Sequence, residues 1–186
     1  APSPGDFSLS LGNGLACNSV PLSWTASSDA TAYKILKGSP RVDISPYQPY
    51  TALNYSDTSV VQNTDYIYQI EAYNSAGTKR SNALNVTTPY CAPTIDTFSA
   101  APSSVYQGQT STLTWTSTYT TSCSASGAWN GSKSTSGSET VTPSTPPSAT
   151  YTLTCTGLLV GGSAVKSATV EVLPLGLPGW KEIIPR

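Results

Sequence analysis

Two residue types that often carry chemistry are missing from this sequence. It contains no histidine and no methionine among its 186 residues. Histidine is the side chain most often used for acid–base catalysis near neutral pH and for binding transition metals. Without it an ordinary Ser-His-Asp triad cannot form, and no G-x-S-x-G segment occurs either. An enzyme is therefore the least favoured class, and we predict a protein without catalytic residues.

Charged residues are scarce as well. They make up 10% of the chain, and the formal net charge is −1. A nearly neutral chain has no long-range field to attract phosphate backbones, so nucleic acid is excluded as a predicted partner. No apolar run reaches the about 20 residues that span a bilayer. The chain opens on Ala1-Pro2-Ser3-Pro4 without a charged and then apolar leader, as expected if a signal peptide has been removed.

Cysteine is present in a small, even number, at Cys17, Cys91, Cys123 and Cys155. No C-x-x-C spacing occurs, so neither a zinc site nor any other cofactor is predicted. A disulfide framework fits better and indicates an oxidising compartment, which predicts an extracellular or cell-surface location. Reactive or intermolecular thiols are the alternative.

Acidic side chains are scattered and show neither calcium-loop spacing nor a catalytic pair. We predict that they lie in solvated turns. The residues concerned are Asp29, Asp43, Asp57, Asp65 and Asp96.

Short strand patterns recur about every ten residues between Gly, Pro, Asn and Ser clusters, which is typical of a β-sandwich. In the first half, Trp24 lies on one such strand, and Ala32-Tyr33-Lys34-Ile35 form the next. A longer run extends from Asn63 to Gly77. This run resembles the sixth strand of a fibronectin type III domain and its AxNxxG-type turn. The resemblance covers roughly residues 5–89 and implies a two-sheet antiparallel sandwich.

The second half repeats the pattern of an L-x-W strand followed later by a Tyr-led strand. It resembles bacterial immunoglobulin-like repeats over roughly residues 94–173. The segments that carry this resemblance are Leu113 to Trp115, Thr121 to Gly127, Trp129 to Ser132 and Thr150 to Gly157. The cysteines depart from the antibody pattern, because Cys123 is placed on the third strand rather than the second.

The predicted fold class is therefore all-β, with two tandem β-sandwiches, the first fibronectin-III-like and the second Ig-like. The predicted domains are residues 1–89 and 94–173, with a stiff linker at 90–93 and an apolar Pro-rich tail at 174–186. In a type III sandwich, Cys17 and Cys91 lie at the same pole, which implies that they form a bridge. Cys123 and Cys155 lie on neighbouring strands, which implies a second bridge within one sheet.

Candidate binding residues are few. The aromatic residues Tyr47, Tyr50 and Trp129 lie in Pro- or Gly-rich connections and could stack on sugars, with local packing as the alternative. Three segments match the N-glycosylation sequon, at Asn54, Asn85 and Asn130.

The C-terminal tail is too apolar for a solvated linker. Its residues could cover the edge of its own domain or contact the next subunit. The candidate subunit contacts are Leu175, Leu177, Trp180, Ile183 and Ile184.

Three functions remain open from the sequence. The first is a microbial surface protein, adhesive spacer or filament (pilus) subunit that self-associates through its terminal segments or binds other surface proteins. The second is a carbohydrate-binding or adhesive accessory module of a larger secreted protein, with glycans as partners. An enzyme is the third and least favoured.

Overall fold

The computed structural model describes residues 1–158 and 162–175, and every regular element among them is a β-strand. The chain divides into two units, Ala1–Cys91 (unit 1) and Ala92–Arg186 (unit 2), each with its own hydrophobic core. The predicted linker at residues 90–93 contains this division. The prediction of an all-β chain with two sandwiches is confirmed by the strand pairing in each unit.

Unit 1 contains eight strands in two antiparallel sheets. One sheet has the order β1-β2-β5, and the other has the order β4-β3-β6, with β7 and β8 pairing with successive halves of β6. The strands are β1 Leu9–Leu11, β2 Val20–Trp24, β3 Ala32–Lys37, β4 Val42–Asp43, β5 Asn54–Asp57, β6 Asp65–Asn74, β7 Gly77–Arg80 and β8 Leu84–Thr87.

Alternation along the strands explains which face of each sheet is buried. On β2, Val20, Leu22 and Trp24 are buried while the residues between them are partly exposed. Successive side chains of a strand point to opposite faces, so these three residues enter the space between the sheets. They meet buried side chains of the opposite sheet, among them Ile35 and Ile70.

The described part of unit 2 also has eight strands in two sheets, with the orders β14-β11-β9 and β10-β16-β15-β12-β13. All pairs are antiparallel except β10 with β16. The strands are β9 Thr94–Ala101, β10 Ser104–Tyr106, β11 Ser111–Thr118, β12 Ser122–Gly127, β13 Gly131–Lys133, β14 Gly137–Val141, β15 Ser148–Thr156 and β16 Ser163–Leu173. The consecutive strands β9 and β10 belong to different sheets, as in many Ig-like sandwiches.

The core of unit 2 is built on the same alternation. Leu113 and Trp115 on β11 face Tyr151 and Leu153 on β15. Many outward residues bear hydroxyls, and they bond to one another across strands, for example Thr152 to Ser167 at 2.9 Å. Hydroxyl pairs therefore take the place that charged side chains occupy on most protein surfaces.

A tyrosine at the start of β6 fixes the connection that precedes it. The backbone N–H of Val61 donates a hydrogen bond to the Tyr66 hydroxyl at 2.8 Å. A tyrosine at this corner whose hydroxyl bonds to backbone a few residues upstream is typical of Ig-like sandwiches.

Removing this hydroxyl should destabilise unit 1. We expect Tyr66→Phe to lower its free energy of unfolding by about 0.5–1.5 kcal/mol, the usual net contribution of a hydrogen bond, because the Val61 N–H loses its acceptor. The matched control is Tyr73→Phe, whose hydroxyl donates only to the exposed side chain of Gln48. This control should stay within about 0.5 kcal/mol in urea unfolding. Equal effects of the two variants would contradict the role of the corner.

Candidate functional site

Both disulfides lie inside single units. Cys17, before β2, is joined to Cys91, after β8, with their Cα atoms 5.1 Å apart. Cys123 on β12 is joined to Cys155, the residue directly opposite it on β15. All four cysteines of the chain are thereby bonded, which leaves no thiol to act as a nucleophile or metal ligand.

The most unusual polar cluster of unit 1 surrounds Asp57, which is 1% exposed at the end of β5. Its Oδ2 accepts a hydrogen bond from the Tyr68 hydroxyl at 2.8 Å and lies 2.7 Å from the Lys37 ammonium. Its Oδ1 accepts bonds from the backbone N–H and the hydroxyl of Ser59. Lys37 and Tyr68 belong to the sheet opposite Asp57, so the cluster ties the two sheets together.

The electrostatics of this cluster favour a fixed ion pair. Burial by itself raises the pKa of the Asp57 carboxyl, but the hydrogen bonds from Lys37, Ser59 and Tyr68 outweigh burial and bring the pKa below its ordinary value. Burial, and then the bond to Asp57, raise the pKa of the Tyr68 hydroxyl. Asp57 therefore stays ionised and Tyr68 stays neutral at ordinary pH. These charge states keep the bonds that join the two sheets.

The burial of Asp57 shows that the sequence prediction for this residue was wrong. It was expected to lie in a solvated turn, as Asp29 does. Instead it is buried, because Lys37 supplies the compensating charge and three further donors satisfy its oxygens.

Unit 2 also contains an ion pair between its two sheets, as unit 1 does. Lys133 on β13 is 11% exposed and forms a salt bridge with Glu139 on β14, in the opposite sheet. Its ammonium also lies 4.6 Å from the centroid of the Trp129 ring. In unit 1, the Lys37 ammonium likewise lies 4.5 Å from the centroid of the Tyr66 ring. Each unit thus places a lysine over an aromatic ring and pairs it with a carboxylate.

Of the two interpretations of the aromatic residues in these connections, burial supports local packing for Tyr50 and Trp129. Trp129 is 7% exposed: Phe98 stacks on its ring at 5.7 Å, and the ammonium of Lys133 also packs against it. Tyr50 is equally buried and donates its hydroxyl to the backbone of Asn54. Of the three candidates only Tyr47 is exposed, at 59%. The turns that suggested exposed rings instead fold these side chains into the two cores.

The three sequon asparagines are all exposed, Asn54 on β5, Asn85 on β8 and Asn130 in the turn before β13. The hydroxyls that complete two of the sequons are already bonded, Ser56 to Ser19 and Thr87 to Asp65. Their use as glycosylation sites stays a prediction.

The two termini differ. The N-terminal segment packs on unit 1, and its contribution to subunit contacts stays a prediction. Asn74 donates to the backbone oxygen of Pro2 at 2.7 Å, Gly5 donates to Ser28 at 3.0 Å, and Pro4 is buried. At the other end, Leu175 is 65% exposed. Leu177, Trp180, Ile183 and Ile184 lie outside the described residues.

Within residues 1–158 and 162–175, no three His, Cys, Asp or Glu side chains are grouped so that they could hold a metal ion. The same part of the chain contains no helix that could cross a membrane.

Comparison with known proteins gives distant likenesses to solved structures. No protein-family model matches the chain, and no curated protein matches it in sequence. Among solved structures it is similar to the FN1–FN3 domains of chicken CNTN1, with 14% identity, 93% of this chain and 68% of that one covered, and a TM-score of 0.40. It is also similar to the Ig1–Ig3 ectodomain of mouse nectin-like molecule 4, with 16% identity, 94% and 66% coverage, and a TM-score of 0.42. At such TM-scores the fold assignment rests on the strand order and pairing described above.

Proposed function

We propose that this chain is a non-catalytic extracellular structural protein, a cell-surface or filament subunit that associates with further copies through its C-terminal tail. The observation that supports the structural role is the pairing of charged groups across the two sheets of each unit. Asp57 bonds to Lys37, and Glu139 bonds to Lys133. Carboxylates held in this way are positioned to strengthen the sandwich.

The two bridges support the proposed location outside the cell. Two disulfides, each closing a small β-sandwich, persist in oxidising compartments and are rare in reducing ones. A hydroxyl-rich surface with few charges and two compact units suit a spacer or subunit outside the cell.

The tail is the proposed contact because its sequence is rich in large apolar residues. β16 ends at Leu173, and the sequence continues with leucines, Trp180 and two isoleucines. Burial of Trp180 and the isoleucine pair against another subunit would contribute about 1.5–3 kcal/mol per side chain before ordering costs. A head-to-tail contact of this kind grows a filament unless it closes into a ring.

Deleting residues 175–186 tests the proposal. We expect the full chain to associate with rising concentration in sedimentation velocity, and the deleted chain to associate at least about a hundredfold more weakly, as the lost apolar burial implies. Val165→Ser, which removes an exposed apolar side chain from the body of unit 2, is the control and should associate like the unmodified chain. Equal association with and without the tail, or a full chain that stays monomeric at the highest concentration, would overturn the proposal.

A further inference from the structure

The connection that leads from β14 into β15 has an unusual composition. It consists of four hydroxyl-bearing residues and three prolines, and it carries no charge. Its sequence is Thr142-Pro143-Ser144-Thr145-Pro146-Pro147-Ser148, called the proline segment below. Segments that combine Ser and Thr with Pro are typical carriers of O-linked sugars. Composition alone does not make such a site, so the geometry of the hydroxyls decides whether an enzyme can modify them.

The hydroxyl-bearing residues of the proline segment all face solvent. Thr142, Ser144, Thr145 and Ser148 are each exposed, whereas Pro143 is buried. The buried ring anchors the segment to the body of unit 2, and the exposed residues follow on both sides of it. A modifying enzyme therefore has access to all four hydroxyl oxygens while the unit stays folded.

Hydrogen bonds from neighbouring segments hold the backbone of the proline segment. The side-chain amide of Gln107 donates to the Ser144 carbonyl at 2.7 Å, and the Val172 N–H donates to the Pro147 carbonyl at 2.8 Å. Both bonds end on backbone oxygens, so they fix the segment without using its hydroxyls. The prolines act in the same direction, because each removes an N–H to which a nearby Ser or Thr side chain could bond.

A second segment of unit 2 has the same number of hydroxyls but no proline. Residues 134–138 contain Ser134, Thr135, Ser136 and Ser138. Here the Ser134 hydroxyl donates to the Ser136 carbonyl at 2.6 Å, and Thr135 is only partly exposed. Local bonding of this kind is what Ser side chains commonly do where the backbone allows it. Residues 134–138 are therefore the natural control for the proline segment.

We propose that the proline segment is an O-glycosylation site, at which a transferase attaches sugar to its hydroxyls. The acceptor oxygen attacks the anomeric carbon of a sugar that carries a phosphate-ester leaving group on that carbon. As the new C–O bond forms, the bond between the anomeric carbon and the phosphate oxygen breaks, and its electron pair leaves with the phosphate. The hydroxyl proton passes to a base of the transferase. The proposal rests on the extracellular location proposed above, but not on association through the tail.

Phosphate is the rival modification, because Ser and Thr hydroxyls also accept phosphoryl groups. A phosphate would add negative charge, and the proline segment contains no Lys or Arg to pair with it. The two disulfides also favour an oxidising compartment outside the cell. An uncharged sugar needs no counter-charge, so the surroundings favour the sugar, and the experiment distinguishes the two.

The test is peptide mapping by mass spectrometry of the full chain, purified from the cells that produce it naturally and from their medium. Proteases specific for Lys and Glu cleave after Lys133, Glu139 and Lys166, which separates residues 134–139 from residues 140–166. We expect peptide 140–166 to carry whole sugar residues. Electron-transfer fragmentation, which leaves the sugar attached, should place them within the proline segment. Peptide 134–139 of the same digest should have its unmodified mass.

Two variants made in the same cells locate the acceptor. The first combines Thr142→Ala, Ser144→Ala, Thr145→Ala and Ser148→Ala, and its peptide 140–166 should lose all of the sugar. The matched control combines Ser134→Ala with Ser136→Ala, and it should keep the sugar of the unmodified chain.

Several outcomes would overturn the proposal. They are an unmodified mass for peptide 140–166 of the natural chain, an added mass that is phosphate, equal sugar on peptide 134–139, and sugar that persists in the fourfold variant. The state of the cysteines, read in the same map without reduction, separates this failure from that of the proposed location. Intact bridges with an unmodified peptide would overturn the glycosylation alone, whereas free thiols would contradict a location outside the cell.

Discussion

Replacing Cys17 and Cys91 together by alanine should lower the free energy of unfolding of unit 1 by about 4 kcal/mol, because the bridge closes a loop with a sequence separation of 74. Without the bridge the unfolded chain gains the conformational freedom that this loop removes. Cys17 is partly buried and Cys91 is 5% exposed, but neither belongs to the core cluster of unit 1, so the substitutions leave that cluster in place. Most of the loss should therefore come from the constraint on the unfolded state.

Hydrogen exchange read by mass spectrometry separates the two units, because peptides from each can be followed individually. Protection of β3 and β6 should fall, while β11 and β15 keep theirs. The reverse pattern is expected for Cys123→Ala with Cys155→Ala, whose shorter loop, with a sequence separation of 32, gives about 3.5–4 kcal/mol. Unchanged protection of unit 1 after loss of its bridge would show that the prediction is wrong.

The sandwich class could be predicted from the sequence because it depends on local alternation. Leu22-Ser23-Trp24 and Leu113-Thr114-Trp115 each place two large apolar side chains on one face of a strand, and all four are buried. A period of two determines the buried face without knowledge of the partner strand. The first strand of unit 1 shows the limit of this approach: its pattern starts at Phe7, whereas β1 begins at Leu9.

The Asp57 cluster could not be predicted, and a second aspartate shows why. Asp43-Ile44-Ser45 and Asp57-Thr58-Ser59 have the same D-x-S pattern and the same local bonds from the serine N–H and hydroxyl to the carboxylate. Asp43 is nevertheless exposed and Asp57 is buried. The difference lies in Lys37 and Tyr68, which are distant in sequence and meet Asp57 only once the two sheets pack together.

The burial of Trp129 was missed for a related reason. The Trp129-Asn130-Gly131 segment is a strong turn pattern, and turns are usually exposed. The ring of Trp129 nevertheless enters the core, where its indole N–H donates to the Thr152 backbone at 3.1 Å. A turn pattern determines the path of the backbone, but the burial of a side chain depends on which strands pack beside it.

The pair of aspartates also provides the sharpest test of the cluster. Asp57→Asn keeps the shape of the side chain but removes its charge, which leaves the Lys37 ammonium, 16% exposed, without its anion. We expect the free energy of unfolding of unit 1 to fall by about 3–4 kcal/mol, the usual cost of breaking a buried ion pair by neutralising one partner. Asp43→Asn, with the same local motif on the surface, should change it by less than about 0.5 kcal/mol.

The pH dependence of this difference identifies the ion pair as its cause. The folded-state pKa of Asp57 lies below the unfolded value of about 3.9, so its stabilisation is fully present above that pH and is lost as the pH falls through the folded-state pKa. Protonated Asp57 is neutral and has nearly the shape of asparagine. The difference in free energy of unfolding between the unmodified chain and Asp57→Asn should therefore be constant from about pH 5 to pH 7 and shrink below about pH 4. Urea unfolding at each pH measures this difference. A gap that persists unchanged at the lowest pH would mean that shape, and not charge, makes Asp57 stabilising.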